Sequence, residues 1–146
     1  MIGALGFGHV AIRAKDFDTM HAFYTEKLGF PEFLRFHDAE GKLRLVFLRV
    51  TDTEYIELFP DGTGEPLPKG NMGVFHICIT VDDLQPMLAD LASRGVAYND
   101  PAKSTRTDGN LASGVTDPEG NYIEIIQNLP TGAQTQAITR FHAEHR

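Results

Sequence analysis

Cysteine is almost missing from this chain: its 146 residues include one, Cys78. One cysteine cannot close an internal disulfide, so a reducing cytoplasm is the expected location. Basic residues are also in the minority, 13 Lys and Arg against 20 Asp and Glu, and the net charge is −7. They form no cluster, which excludes the basic patch that nucleic-acid binding requires. No run approaches the roughly 20 apolar residues of a membrane helix, so no membrane association is expected. The opening MIGALGFGHVAIRAKD lacks a basic segment followed by a long apolar one and does not read as a signal peptide. What is present is ordinary for a folded protein. Apolar residues at 42% can build a core, and charged residues at 23% do not indicate disorder. The length fits one domain, or two small modules sharing a core.

The chain repeats itself. GHVAIRAKDFDTMHAFYTEKLGF (8–30) parallels FHICITVDDLQPMLADLASRGV (75–96). Each segment opens with a His in a β-rich run and passes an Asp able to cap a helix (Asp16 or Asp18; Asp82 or Asp83). Each then carries an amphipathic helical pattern and stops at Gly29 or Gly95. Further on, TEYIELF (53–59) parallels GNYIEII (120–126). His9 and His76, Tyr55 and Tyr122, and Glu57 and Glu124 all obey one offset of 67 residues.

Periodicity predicts strands over 7–13, 31–37, 43–50 and 54–60, with a helix over 17–27 bearing Phe17, Met20, Phe23, Tyr24 and Leu28. In the second half it predicts strands over 74–81, 96–106, 111–116 and 121–127, and a helix over 83–93 with Pro86 in its first turn. Asp117-Pro118-Glu119-Gly120 is a turn signal. The Gly/Pro-rich DGTGEPLPKGN opens a linker, 61–73. The result is an α+β chain: one domain over 1–128 built from βαβββ modules at 6–60 and 74–128, and a polar tail, 129–146, with a helical pattern over 134–144.

Alternate residues of a strand share a face. His9, Ala11 and Arg13 then oppose Val10 and Ile12; His76, Cys78 and Thr80 oppose Ile77 and Ile79. Tyr55, Glu57 and Phe59 oppose Ile56 and Leu58; Tyr122, Glu124 and Ile126 oppose Ile123 and Ile125. In every strand the aliphatic face suits the helix-covered core, and the His or Glu looks away from it. Facing modules would line one cavity with two imidazoles and two carboxylates. Buried carboxylates need a counter-charge, and mixed N/O ligation suits a divalent ion. His9, Glu57, His76 and Glu124 are therefore the expected ligands of one metal ion. Alone, each of these residues would read as a core or surface residue; the symmetric set of four favours a metal. His21, His37, His142 and His145 fall outside the symmetry and read as surface residues, and Cys78 as a small filler.

These motifs, with TDPEGNYIEI, resemble the vicinal oxygen chelate superfamily over residues 6–128. It includes glyoxalase I, methylmalonyl-CoA epimerase, extradiol dioxygenases, fosfomycin-resistance enzymes and bleomycin-binding proteins. The resemblance implies a curved mixed sheet around a metal site, of the glyoxalase/bleomycin resistance/dioxygenase fold. The His-Glu-His-Glu set is that of bacterial glyoxalase I (lactoylglutathione lyase). It implies one divalent ion (Ni, Zn, Co or Mn), a small-molecule substrate and a homodimer. Arg13 matches an arginine that contacts glutathione in glyoxalase I. Asp61 departs from the pattern, because the family places an Asn there and an acid would repel glutathione carboxylates.

The implied chemistry is lyase or isomerase chemistry through an enediolate of a 2-oxo or 2-hydroxy carbonyl substrate, with Glu124 as the base and Glu57 able to act on the other face. Arg13 and Asp61 would contact substrate, and Tyr55, Phe59 and Tyr122 would shape the pocket. The competing readings are an epimerase of a sugar-like or acyl-CoA substrate, favoured somewhat by Asp61, then a non-catalytic binder of a drug or metabolite, and a dioxygenase. Four intact ligands argue against the binder. For the dioxygenase, two His and one carboxylate would suffice, leaving Glu57 unexplained.

Overall fold

The computed structural model describes residues 6–66, 72–101 and 107–145. The chain divides into two compact units, residues 1–67 and 68–146. The first runs through β1 (His9–Arg13), α1 (Phe17–Ala22) with a continuing π turn (Phe23–Lys27), β2 (Glu32–His37), β3 (Leu43–Arg49) and β4 (Tyr55–Phe59). Its sheet has the order β1-β4-β3-β2, with β1 parallel to β4 and the other pairs antiparallel. A parallel pair cannot be joined by a tight turn, and the helix with the β2–β3 hairpin supplies the crossover. Asp16 starts the helix: one carboxylate oxygen accepts from Thr19 N–H at 3.2 Å and the other from the Thr19 hydroxyl at 2.7 Å. Met20, Tyr24 and Leu28 are buried with Val46, Leu48, Ile56 and Leu58. Each large apolar side chain buried this way contributes about 1.5–3 kcal/mol.

The second unit contains β5 (Ile77–Thr80), α2 (Leu84–Ser93), β6 (Leu111–Thr116), β7 (Tyr122–Gln127) and α3 (Ala133–Glu144). Its sheet has the order β5-β7-β6, again with the first pair parallel and the second antiparallel. Asp83 caps α2 by accepting from Gln85 N–H, and Gln127 at the end of β7 accepts from Leu84 N–H at 3.0 Å. Leu84, Leu88 and Leu91 form one buried stripe, over Ile123 and Ile125. Asp117 makes the β6–β7 turn. Its buried carboxylate accepts from Glu119 N–H, Asn121 N–H and the Asn121 amide, and Gly120 takes φ 92°.

The helix of the first unit and α2 each end on a glycine in the left-handed region, Gly29 at φ 79° and Gly95 at φ 74°. In α2, Gly95 N–H bonds Ala92 O and Val96 N–H bonds Leu91 O, a complete Schellman end. In the first unit Phe30 N–H reaches back to Tyr24 O, one residue farther. The difference has a sequence origin. The capping Asp16 and Asp83 obey the 67-residue offset, whereas Gly29 and Gly95 are 66 apart. The first helix carries one extra residue and accommodates it as the π turn.

Four expectations need correction. Residues 96–101 of the expected strand 96–106 form no strand; the remainder, 102–106, lies outside the described residues. Asn99 still flanks β6, its N–H bonding Gly114 O and its carbonyl accepting from the Ser113 hydroxyl, so a side chain replaces part of the ladder. Ile126 is buried although it was placed with Glu124 on the open face. Cys78 is exposed rather than filling a core or pocket. His21 is only 25% exposed at its side chain and lies 2.7 Å from Glu32 Oε2, which also receives Arg35. It ties α1 to β2 and is not an ordinary surface residue.

Two stability effects follow. A Cβ on Gly62 would stand 2.6–2.8 Å from backbone atoms of Ala14 and Lys15, where Gly62 N–H also bonds Ala14 O. Gly62→Ala should lower unfolding stability by about 1–3 kcal/mol in urea titrations. Glu32 has its pKa held below its ordinary value of 4.5, chiefly by the hydrogen bond from Arg35. A lowered carboxylate pKa stabilises above the unfolded value, and the gain disappears as pH falls through the folded one. Glu32→Gln should therefore be less stable than the parent at pH 6, with the two unfolding curves converging as pH falls through the lowered Glu32 pKa.

Candidate functional site

The two parallel strand pairs have the same register. In the first unit His9 pairs with Tyr55 and Ala11 with Glu57; in the second Cys78 pairs with Glu124. His9 lies two residues before Ala11 and His76 two before Cys78, so each His and Glu are diagonal neighbours on one sheet face. His76 precedes the first hydrogen-bonded residue of β5, Ile77. His9 Nε2 is 3.7 Å from Glu57 Oε2, and His76 Nε2 is 3.5 Å from Glu124 Oε2. The Glu side chains are 16% and 17% exposed, and the His side chains 44% and 30%.

Those separations exceed the 2.7–3.2 Å of a hydrogen bond. Two N and O ligands of one ion, each about 2.1 Å from it, stand about 3.4 Å apart at a tetrahedral angle. The spacing of each pair thus fits shared ligation better than direct bonding. A second observation concerns His76. Its Nδ1 is buried and has no hydrogen-bond partner among the described residues. An unsatisfied buried nitrogen costs about 1–3 kcal/mol; the ring nitrogen that faces Glu124 is the other one, Nε2. Each unit therefore offers one imidazole and one carboxylate that suit a divalent ion. Among the described residues no group of three or more such side chains converges on one point.

The aromatic neighbours support each pair differently. The Tyr55 ring stacks on His9, centroids 5.3 Å apart and planes 26° from parallel. Tyr122 meets His76 edge-on at 6.1 Å, and its hydroxyl accepts from the Asn99 amide at 3.2 Å. Across the sheet, Phe47 stands opposite Glu57, whereas Gly114 stands opposite Glu124. A Cβ at Gly114 would lie 2.2–2.6 Å from the Tyr122 ring and hydroxyl, so the missing side chain makes room for that ring.

At the other end of the first face, Arg13 pairs with Phe59 in register, and its guanidinium lies 5.5 Å from the Phe59 ring centroid. One Arg13 nitrogen is 2.5 Å from Asp61. The two residues expected to meet substrate thus hold each other. Sequence reasoning missed Phe33, Phe36 and Phe47, whose rings join Tyr55 on the Glu57 face. The alternation of Leu45 and Phe47 with buried Val46 and Leu48 was the available signal. A cleft of about 480 Å³ lined by Gln85, Leu88, Tyr98, Asp100 and Pro101 contains none of the expected site residues.

Residues 6–125 match the Glyoxalase/Bleomycin resistance protein/Dioxygenase superfamily. A probable lactoylglutathione lyase of Vibrio cholerae is 32% identical over 82% of this chain and 88% of its own. A lactoylglutathione lyase of Schizosaccharomyces pombe is 28% identical over 94% of this chain; the match spans about half, 52%, of that protein. Among solved structures, a glyoxalase family protein from Enterococcus faecalis superposes with a TM-score of 0.68 at 24% identity, covering 84% of this chain and 97% of that one. A lactoylglutathione lyase from Agrobacterium tumefaciens gives 0.61 at 21% identity, covering 86% and 96%. With its fold, its repeated His-Glu pairs and its match over residues 6–125, this chain belongs to the glyoxalase/bleomycin resistance/dioxygenase superfamily.

Proposed function

We propose that the chain is a divalent-metal-dependent lyase or isomerase of glyoxalase I type, with His9, Glu57, His76 and Glu124 as ligands. The observation that carries this reading is the duplicated His-Glu pair at 3.7 and 3.5 Å, in the same strand register twice. Bound there, Ni, Zn, Co or Mn would supply positive charge to a substrate oxygen as it becomes negative. The relatives named as lactoylglutathione lyases support the reaction class.

The residues divide the remaining work. Glu124 and Glu57 are mostly shielded carboxylates, each on the open face of its sheet. Glu124 takes a proton from a carbon beside the substrate carbonyl and returns it to the neighbouring carbon, which gives an enediolate and then a 2-hydroxy product. Glu57 serves the opposite face of the substrate. Tyr55 and Tyr122 hold the two imidazole rings by ring contact. The working form is a homodimer in the cytoplasm. Among the described residues no helix is long and apolar enough to cross a membrane.

An epimerase of a sugar-like or acyl-CoA substrate is the second reading, favoured by the Arg13–Asp61 ion pair. An arginine already bound to an aspartate is a poor partner for a glutathione carboxylate.

Chelator-stripped protein reloaded with Ni or Zn should bind one equivalent per His-Glu-His-Glu site. It should isomerise the methylglyoxal–glutathione hemithioacetal. Glu124→Gln should lower kcat by about 10²–10⁴-fold and change stability by about 1 kcal/mol or less. Stoichiometric metal without turnover would move the assignment to the epimerase. Failure to bind metal would remove the reading altogether.

A further inference from the structure

The face of the first sheet that carries His9 and Glu57 also carries an open aromatic surface. Phe33 and Phe36 are 54% and 48% exposed. Their rings lie 5.9 and 5.6 Å from Phe47, and Phe33 also lies 5.9 Å from Tyr55. Phe47 and Tyr55 meet at 5.3 Å, and Tyr55 continues the surface to His9. The chain reaches this arrangement through a register shift in β2 between Glu32 and Leu34. Such a bulge re-aims a side chain, and Phe33 is the residue inserted. Leaving two phenyl rings in water forgoes burial that a core position would provide, and a contiguous exposed apolar patch marks a binding site.

The arginines on the same face each have an acidic partner. Arg13 is paired with Asp61 and Arg49 with Asp52. Among the described residues the second unit has no counterpart of Phe47: Gly114 occupies its position and the Tyr122 ring covers it. The aromatic surface is therefore particular to one carboxylate, Glu57.

We infer that Phe33, Phe36, Phe47 and Tyr55 form the specificity surface for a neutral aromatic ring of the substrate, held beside His9 and Glu57. This rests on the functional reading above for the identity of the neighbouring site, and it assigns the substrate an aromatic ring. A ring is favoured over a saturated group because edge and face contacts with four aromatic rings reward a flat π system. An uncharged ring is favoured because the arginine of this face, Arg13, is occupied by Asp61.

The test uses probes that need no metal, so its result does not depend on turnover. The chelator-treated, ¹⁵N-labelled full chain is titrated with 4-phenyl-1-butanol and with 4-cyclohexyl-1-butanol, followed by amide NMR. The phenyl compound should shift amides around 33–36, 47 and 55. It should bind about 3–10-fold more tightly than the cyclohexyl one. The double variant Phe33→Leu, Phe36→Leu should erase that preference while the amides of β5–β7 stay in place, which shows a folded chain. In the parent, 4-phenylbutyrate should bind no more tightly than the alcohol; in Asp61→Asn it should gain severalfold. Equal binding of the two alcohols, or tighter binding of the acid by the parent, overturns the inference. So does a shift of the Phe33 and Phe36 amides with protein concentration alone, which would make this face an interface between copies. Loss of metal binding in the separate loading experiment would remove the catalytic reading and leave this result standing.

Discussion

The parallel pairing of the first and last strands of each unit governs the rest. In β1·β4 and β5·β7 the side chains that oppose one another are fixed by register. A slip of one residue would turn Glu57 or Glu124 into the helix-covered core and bring an isoleucine out. The core prevents this, since Ile56, Leu58, Ile123 and Ile125 are all buried on the opposite face. The apolar alternation that stabilises each sheet is thus the device that places each His and Glu at 3.5–3.7 Å. Stability and chemistry are written on alternate residues of the same strands.

Much of this was legible in the sequence because both signals are local. Period-2 alternation revealed the strands, capping Asp and terminal Gly bounded the helices, and the 67-residue offset joined the two halves. Asp117 was legible as a turn because an Asp before Pro and Gly hydrogen-bonds its own backbone. The failures are non-local. Residues 96–101 carry no ladder because Asn99 and Ser113 substitute a side-chain bond for a backbone one. His21 looked like surface because its partners, Glu32 and Arg35, reach it from the following strand. The aromatic cluster escaped because it assembles across three strands and depends on a bulge that alternation cannot anticipate.

The two units repeat the parallel strand pair and its register but not its surroundings. Phe47 faces Glu57 where Gly114 faces Glu124, and the tyrosine beside each histidine is stacked in one unit and edge-on in the other. The two carboxylates have different walls. Different walls are what divergent roles for two similar acids require. Arg13 and Asp61 add a further difference, a closed ion pair at the end of one face.

The π turn in the first helix shows where this architecture can absorb change. The offset between units is 67 residues at the helix caps, 66 at the helix ends, and 67 again at Tyr55 and Tyr122. A residue gained inside the helix was given back before the last strand, so the length difference never reached β4. Helices and connections can drift in length because an extra residue there widens one turn. A strand has no such slack. The ligand-bearing strands are consequently the fixed coordinates of the duplication, and the shared numbering between halves survives only where an uncorrected insertion would have reversed the sheet.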